Sequence, residues 1–216
     1  MFKVPLSILV IFIVLLCSTP ALSQVKKDTI SLSALVLKAS PINKSIQNSA
    51  ASVAVIGISD IQKTDGIVLT PILNKVAGVF MQQGAMNTNR ITIRGIGART
   101  PYGTNKIKAY FDGIPITSVN GETVVEDIDV TSIERIEIIK GPNSTSFGSG
   151  LGGVINLYSK ATSIKESFGK YTNTFGSFGL LQQRVSGGFN DDKTNLSTSY
   201  SDLEMEGYRD NSAYKR

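Results

Sequence analysis

Residues 133–142 read IERIEIIKGP and carry a clear strand signal. The strand pattern from Ile136 to Lys140 stops at Gly141 and Pro142, two residue types that end a strand in a turn. A polar, glycine-rich loop follows, and residues 154–158 then read VINLY, which predicts one more strand. This part of the chain therefore predicts two short strands joined by a glycine-rich loop.

Upstream of this segment the chain contains further short strand patterns and one helix pattern. The predicted strands lie at 52–56, 79–83, 90–95 and 109–112. Thr70 and Pro71 supply an N-cap and a proline at the first helical position, and Gly78 is placed to end the helix. Short strands with a helix or two predict an α+β domain over residues 50–160.

The pattern changes after Lys160. Segments of about ten residues, separated by turn residues, are predicted at 168–177, 180–189 and 193–203. In the third segment Leu196, Thr198 and Tyr200 share one face, and small polar residues occupy the other. This period of two is typical of an outer-membrane barrel strand, whose apolar face contacts lipid and whose polar face lines the lumen. A soluble antiparallel meander accounts for the same alternation, and the residues alone leave it open.

Composition excludes several chemistries. The 216 residues contain no His, no Trp and a single Cys, Cys17, with 22 Lys+Arg against 17 Asp+Glu for a net charge of +5. Without imidazole there is no Ser-His-Asp triad, no Cys-His pair and no His-ligated zinc. The positive excess is dilute and forms no basic stripe with interleaved aromatic residues, so no nucleic-acid partner is expected. We expect no catalytic residues, no metal site and no cofactor.

Residues 1–23 have the features of a cleaved export signal. Lys3 gives a positive start, and the apolar run at 6–16 is shorter than the roughly 20 residues that a membrane-spanning helix needs. Ala21 and Ser23 place small residues where a signal peptidase reads them, which predicts cleavage before Gln24. An uncleaved anchor is the alternative, and the short run counts against it.

Residues 24–49 form a polar segment around one alternating stretch at 28–37. Alternation of this kind is strand-like. Because no flanking turn pairs the stretch within the chain, it is predicted to be a strand that waits for a partner, as in β-augmentation. An ordinary linker explains it equally well on this evidence.

A glycine-rich motif at 148–153, GSGLGG, satisfies the dinucleotide fingerprint by letter. That fingerprint works only where the glycines open a helix whose N-terminus faces a pyrophosphate. Here they open into the strand at 154–158, so the sequence argues against a nucleotide-dependent enzyme. The glycines are predicted to permit a tight chain reversal instead.

Five segments together resemble the TonB-dependent outer-membrane receptor family. Residues 133–142 resemble one motif of its plug domain. The other four are LNKVAGV at 73–79, with Ala77 where the family has proline, ITIRGIG at 91–97, AYFDGIP at 109–115, and the glycine-rich segment at 146–156. The order of the motifs along the chain is also that of the family.

The resemblance implies an α+β plug domain, with a short mixed β-sheet, helices and loops, at 50–160. It implies that the first antiparallel strands of a transmembrane β-barrel, about three, follow at 161–216. Such a receptor lies in the bacterial cell outer membrane, contacts lipid through its barrel, and imports a scarce ligand with energy delivered by TonB. Because 216 residues are used up before a barrel closes, we expect the chain to be the N-terminal part of a receptor. A free periplasmic plug-like binding or signalling module remains the alternative.

The resemblance also implies roles for individual residues. The periplasmic extension at 24–49 carries a segment similar to the TonB box, with a second register at 34–39 as the less favoured choice. The TonB-contact residues are Asp28, Thr29, Ile30, Ser31, Leu32, Ser33 and Ala34. The structural glycines of the plug motifs are Gly95, Gly97, Gly113, Gly141, Gly148, Gly152 and Gly153.

Three charged residues match plug positions that dock against the barrel wall: Arg94, Arg135 and Glu137. In the family such arginines face wall carboxylates, which are expected beyond residue 216. A buried guanidinium needs partners of this kind. The alternative is that both arginines lie exposed on the polar face of a strand.

Ligand contacts follow only from an assumed topology. If the strands at 79–83, 91–95 and 108–112 run antiparallel, the loops at 84–89 and 114–123 emerge at one end and the loop at 97–105 at the other. The ligand candidates are then Met86, Asn87, Asn89, Ser118, Asn120 and Glu122. They form no evident metal cage. The family's usual ligand is an iron-siderophore complex, a metal chelate that needs no protein ligation, while cobalamin, another organic cofactor or a saccharide stays open.

Overall fold

The computed structural model describes residues 36–37, 44–45, 51–86, 88–97, 104–142, 147–148, 150–160, 167–191 and 193–216. The predicted export signal, the TonB-contact segment at 28–34 and Asn87 lie outside these residues. Within the described ranges, no helix has both the length and the apolar character needed to cross a membrane.

The described chain is mostly strand. Its strands are β1 (Val36–Leu37), β2 (Lys44–Ser45), β3 (Ser52–Ile56), β4 (Val79–Ala85), β5 (Thr88–Ile93), β6 (Ile96–Gly97), β7 (Ile107–Phe111), β8 (Ile114–Pro115), β9 (Ile133–Lys140), β10 (Gly153–Ser159), β11 (Phe168–Phe175), β12 (Leu181–Asn190), β13 (Asn195–Met205) and β14 (Tyr214–Lys215). The helices with described bounds are α1 (Ile58–Ile61), α2 (Thr70–Leu73) and a 3-10 turn (Val130–Ser132).

The strand predicted at 136–140 is part of β9, which lies inside a five-stranded mixed sheet. Its order is β3-β9-β10-β7-β8, with β9 antiparallel to both β3 and β10, and β10 parallel to β7. Ile136 and Ile138 of β9 are fully buried in the core with Ile155 and Leu157 of β10. Glu137 and Ile139, on the opposite face of β9, are buried as well, so this strand is covered on both faces.

A second, three-stranded sheet holds β4, β5 and β6 in antiparallel order. Met81, Ile91 and Ile93 point into the same core as the mixed sheet. The assumed antiparallel arrangement is therefore confirmed for 79–83 and 91–95 and wrong for 108–112, because β7 belongs to the mixed sheet. Alternation identifies a strand but not its neighbour, and β7 finds its apolar partner in β10.

The predicted helix after residue 70 is a single turn. Thr70 is its first residue and not its N-cap, and the Thr70 hydroxyl donates to Gln83 Oε1 at 3.1 Å. The helix ends at Leu73 because the side chain of Asn74 accepts from Met81 N at 2.7 Å and donates to Met81 O at 3.0 Å. These two bonds hold the chain against β4, so the helix prediction is correct in place and wrong in cap and length.

The four strands β11, β12, β13 and β14 form an antiparallel sheet, which we call the C-terminal sheet. Its first three strands confirm the segments predicted after Lys160. The register aligns Tyr171, Val185 and Tyr200 in one row, and their exposed fractions are 62%, 55% and 69%. The other face carries small hydroxyl and charged side chains such as Arg184, as the period of two predicted.

The prediction that stretch 28–37 has no partner within the chain is wrong for Val36 and Leu37. They pair antiparallel with Ser45 and Lys44. The two strands are close in sequence, so closing the connection between them costs little chain entropy. The rest of the stretch lies outside the described residues.

The glycine-rich loop opens into β10 and not into a helix, as the sequence predicted. Gly153 begins β10 at a φ of 141°, and a Cβ there would collide with the carbonyl oxygen of Ile139. Gly152 also packs closely, because a Cβ would lie 2.9 Å from Ile107 Cγ1. The glycines Gly95, Gly113, Gly141 and Gly148 have positive φ angles, while a Cβ on Gly97 would lie 2.5 Å from the carbonyl oxygen of Ile91.

Candidate functional site

The α+β domain meets the C-terminal sheet along residues 125–131, which we call the docking segment. Val125 and Val130 anchor the segment in the core. Between these anchors, the carbonyl oxygens of Glu126 and Ile128 accept from Arg216 Nη1 at 2.8 and 3.1 Å. The end of the C-terminal sheet is thereby held to the backbone of the domain.

An ion pair forms a second contact between the docking segment and the C-terminal sheet. Arg184 Nη1 of β12 lies 2.8 Å from Asp129 Oδ2, and the two side chains are 13% and 15% exposed. Asp129 Oδ1 accepts from the backbone nitrogen of Thr131 at 3.0 Å and from its hydroxyl at 2.8 Å. One carboxylate therefore caps the 3-10 turn and binds the sheet at the same time.

The docking segment also contacts strand β5. Asn89 is buried, and its Nδ2 donates to Glu126 Oε2 at 2.7 Å, the same oxygen that accepts from Val125 N at 2.9 Å. Burial raises the pKa of Glu126, and these hydrogen bonds partly oppose the rise. Asn89 was predicted to lie in a loop, and the structure places it in β5 with its side chain buried. Its predicted contact with a ligand stays a prediction.

The β4–β5 hairpin reaches the C-terminal sheet directly. The carbonyl oxygen of Gly84 accepts from Arg209 Nη2 at 2.6 Å and from Tyr208 Oη at 3.3 Å. The guanidinium of Arg209 lies 4.7 Å from the centre of the Tyr208 ring, and Phe178 packs 6.0 Å from the same ring. Met86 lies in this hairpin turn, where its sulfur accepts from Gln83 Nε2 at 3.7 Å.

The remaining ligand candidates lie in a separate exposed turn. Ser118 N donates to the carbonyl oxygen of Glu122 at 2.7 Å, with Asn120 at the tip. Thr123 fastens this turn to the start of β7, because its hydroxyl donates to Ile107 O at 2.6 Å. The structure thus brings Met86 and Asn89 to one hairpin and leaves the other three exposed in a second turn.

Arg135 and Glu137 form an ion pair with each other on β9. Arg135 Nη2 lies 2.5 Å from Glu137 Oε1, and Glu137 is fully buried. Tyr158 Oη donates to the other carboxylate oxygen at 3.5 Å, and burial together with the negative charge of Glu137 raises the pKa of Tyr158. A spacing of two on one strand face could have indicated this pair from the sequence. Contact with wall carboxylates beyond residue 216 stays a prediction.

Arg94 lies at the turn after β5 and is exposed. Its φ is 53°, and its backbone nitrogen donates to Gly78 O at 2.7 Å. No carboxylate of the described residues is recorded in an ion pair with it. Its predicted docking role therefore stays a prediction.

A cleft of about 560 Å³ separates the domain from the polar face of the C-terminal sheet. Lys160 lines it on the domain side and donates to Thr131 O at 2.6 Å. Burial lowers the pKa of Lys160, and the positive charges of Arg184 and Lys170 across the cleft lower it further. In the described part of the chain, no group of three or more His, Cys, Asp or Glu side chains is arranged to hold a metal ion.

Comparison with known proteins explains this arrangement. The family model of the TonB-dependent receptor plug domain matches residues 45–154. The vitamin B12 transporter BtuB of Vibrio vulnificus is 30% identical over 135 residues, which are 61% of this chain and 21% of that protein. The iron-regulated outer membrane virulence protein of Vibrio cholerae serotype O1 is 33% identical over 135 residues, 58% of this chain and 20% of that protein. The chain therefore spans about a fifth of the length of these curated relatives.

Among solved structures, the ferric-catecholate import receptor Fiu of E. coli K12 superposes with a TM-score of 0.57 at 23% identity, over 80% of this chain and 24% of that one. The α+β domain has the plug fold, and the C-terminal sheet corresponds to the first strands of the barrel that follows it. The plug-domain model covers half of the chain, so this protein belongs to the family of TonB-dependent receptors.

Proposed function

We propose that this chain is the N-terminal part of an outer-membrane receptor that binds a scarce ligand and imports it, with the plug gating a β-barrel. The observation that carries the proposal is the two-sided C-terminal sheet, which has the exposed row of Tyr171, Val185 and Tyr200 on one face and the plug on the other. An apolar outer face and a polar inner face are the pattern of a barrel wall in the outer membrane. Binding and gating need no catalytic group, and we propose no enzymatic activity.

The proposed ligand is an iron-siderophore complex. By their names, the V. cholerae relative is iron-regulated and the E. coli structure is a ferric-catecholate importer. The proposed set of contacts remains Met86, Asn87, Asn89, Ser118, Asn120 and Glu122. Tyr208 and Arg209 join the set, because they present an aromatic ring and a cation beside the hairpin of Met86.

Cobalamin is the second candidate ligand. The observation in its favour is the 30% identity to a protein named as a vitamin B12 transporter. Cobalamin is also a large organic chelate, so the same exposed hairpin and turn suit either ligand by size.

We further propose that residues 1–23 direct export and are cleaved, and that the receptor resides in the outer membrane. Energy would enter through residues 28–34, which pair as an extended strand with a sheet edge of TonB in the periplasm. Main-chain hydrogen bonds of that kind transmit a pull along the strand.

The test uses the complete receptor that carries this chain. It is titrated with a ferric catecholate, a ferric hydroxamate and cyanocobalamin, and uptake of each labelled compound is measured in cells with and without TonB. We expect tight binding of a ferric chelate and uptake that requires TonB. Binding of cyanocobalamin alone would replace the proposed ligand. A soluble, monomeric protein that functions without a barrel would contradict the receptor and favour a periplasmic module.

A further inference from the structure

The docking segment touches two regions that otherwise belong to different parts of the fold. On one side it binds Asn89 of β5, and on the other it binds Arg184 and Arg216 of the C-terminal sheet. All of these contacts fall on four consecutive residues, 126–129. A displacement of these residues at one contact therefore shifts the other contacts as well.

Glu126 joins the two sides within a single residue. Its side chain accepts from Asn89 and from Val125 N, while its own carbonyl oxygen accepts from Arg216. The bond from Asn89 fixes the side chain of Glu126, and the bond from Val125 N closes it onto the local backbone. The direction of the Glu126 carbonyl, and with it the position of Arg216, then depends on whether Asn89 is in place.

The ion pair between Asp129 and Arg184 of β12 also depends on the backbone of the docking segment. Its carboxylate is held by Thr131, through both the backbone nitrogen and the hydroxyl, before it meets Arg184. The charges also have the opposite arrangement to the one expected from the family, because here the arginine is on the wall and the carboxylate is on the plug. This contact is thus a separate one from the predicted docking of Arg94 and Arg135.

The two buried valines of the docking segment, Val125 and Val130, stay in place during such a displacement. Val125 and Val130 are buried in the core, with exposed fractions of 0% and 1%. The residues between them are only partly buried or exposed. Two fixed ends with a hydrogen-bonded stretch between them favour two discrete arrangements over a gradual deformation.

We propose that residues 126–129 act as a latch that couples the β4–β5 hairpin to the barrel wall. When Asn89 leaves Glu126, the Glu126 carbonyl turns away from Arg216, the Asp129–Arg184 pair weakens, and the plug separates from the first wall strands. The hairpin that carries Met86 and Gly84 thereby controls how firmly the wall holds the plug. The latch rests on the proposed function in one respect, since it treats the C-terminal sheet as part of a closed barrel.

The experiment measures the distance between plug and wall in the complete receptor. Spin labels are placed on cysteines at the exposed positions Lys63 and Lys193. Residues 24–216 contain no cysteine, and any cysteine beyond them is replaced by serine. The distance distribution between the labels is then recorded for the receptor in detergent, for five test variants and for two control variants.

Asp129→Asn and Arg184→Gln are expected to broaden the distribution at least twofold, and the double variant no further than either single variant. Asn89→Ala is expected to broaden the distribution to a similar extent, although the Asn89 amide bonds to Glu126 and not directly to Arg184 or Arg216. Arg184→Lys keeps the charge and should retain most of the narrow distribution.

Matched controls separate the latch from general damage. Asp210→Asn removes an exposed acid outside the docking segment, and Asn105→Ala truncates an exposed asparagine, so both should leave the distribution unchanged. An unchanged distribution in Asp129→Asn or in Asn89→Ala overturns the latch. If Asn89→Ala does not assemble, Glu126→Gln replaces it, since it keeps one acceptor oxygen but removes the charge that Asn89 binds.

The two proposals fail in different ways. A receptor that shows no heat-modifiable barrel on a gel overturns the proposed function, whatever the labels report. A folded barrel with the same narrow distribution in every variant overturns the latch alone.

Discussion

Glu137 is fully buried in the plug, and its carboxylate pairs with Arg135 two residues earlier on the same strand. Tyr158 approaches the other oxygen from the neighbouring strand. Desolvation offsets much of the attraction within such a pair, so its net contribution to stability is small. Removing one partner is different, because the remaining charge stays largely buried and loses this ion pair.

Glu137→Gln is therefore expected to lower the free energy of unfolding of the plug by about 3 kcal/mol. Arg135 keeps its charge with only 17% of its side chain exposed. Urea unfolding of the plug in the complete receptor measures the change. Asp60→Asn, which breaks the exposed pair with Lys63, should have no measurable effect. Equal results for the two variants would contradict the buried-pair account.

Gly153→Ala tests how closely residue 153 packs against the backbone of β9 in the mixed sheet. The φ of 141° disfavours any side chain, and the added Cβ would meet the carbonyl oxygen of Ile139. We expect a loss of at least about 2 kcal/mol of unfolding free energy, from backbone strain and from the clash. Gly57→Ala is the control, since its φ is −90° and nothing lies within 4 Å of the added Cβ. A tolerated alanine at residue 153 would mean that the loop before β10 repacks.

At the level of the elements, β11, β12 and β13 are defined by which face each residue occupies. Tyr200 pairs with Val185 on the exposed face, while its neighbour Ser199 lines the cleft towards the plug. Adjacent residues of one strand therefore face different surroundings. We therefore expect a charged side chain to be tolerated on the face towards the cleft and not on the exposed face of Tyr200.

Tyr200→Lys and Ser199→Lys make a matched pair for this difference. A lysine at residue 200, near the middle of β13, is expected to cost about 2 to 4 kcal/mol if that face contacts lipid. A lysine at residue 199 points into the cleft and should be tolerated. The folded fraction in outer-membrane extracts, read from heat-modifiable migration, measures both. Equal folding of the two variants would argue for a soluble meander.

At the scale of the whole molecule, the proposed import depends on a force that TonB applies to residues 28–34, which lie outside the described residues. Arg184 and Arg216 hold the plug to the C-terminal sheet, and the proposed import requires both contacts to yield. The second register at 34–39 overlaps β1, which is paired with β2. This pairing counts against the second register as the contact with TonB.

Ile30→Pro and Leu32→Pro are expected to abolish energised uptake while ligand binding at the cell surface persists. Proline removes a main-chain donor from the strand that pairs with TonB. Labelled-ligand uptake and binding in cells measure the two activities separately. Val36→Pro, in the second register, is the counterpart variant. Unchanged uptake in the first two variants, with loss in the third, would move the TonB contact to residues 34–39.

The sequence by itself determined the strands of more than two residues, the two faces of the C-terminal sheet and the family. These features depend on residues a few positions apart: a period of two, and Gly and Pro at fixed places such as Gly141 and Pro142. The early end of α2 was missed because Asn74 binds Met81, a residue of the next strand.

Only the tertiary structure decided which strands are neighbours and how the plug meets the wall. The parallel pairing of β7 with β10, the bond from Asn89 to Glu126 and the ion pair of Asp129 with Arg184 each join residues far apart in the chain. Local patterns carry no information about such partners, because a side chain's polarity fixes that it needs a partner but not which one. The packing of the common core brings these residues together, and that packing is a property of the whole fold.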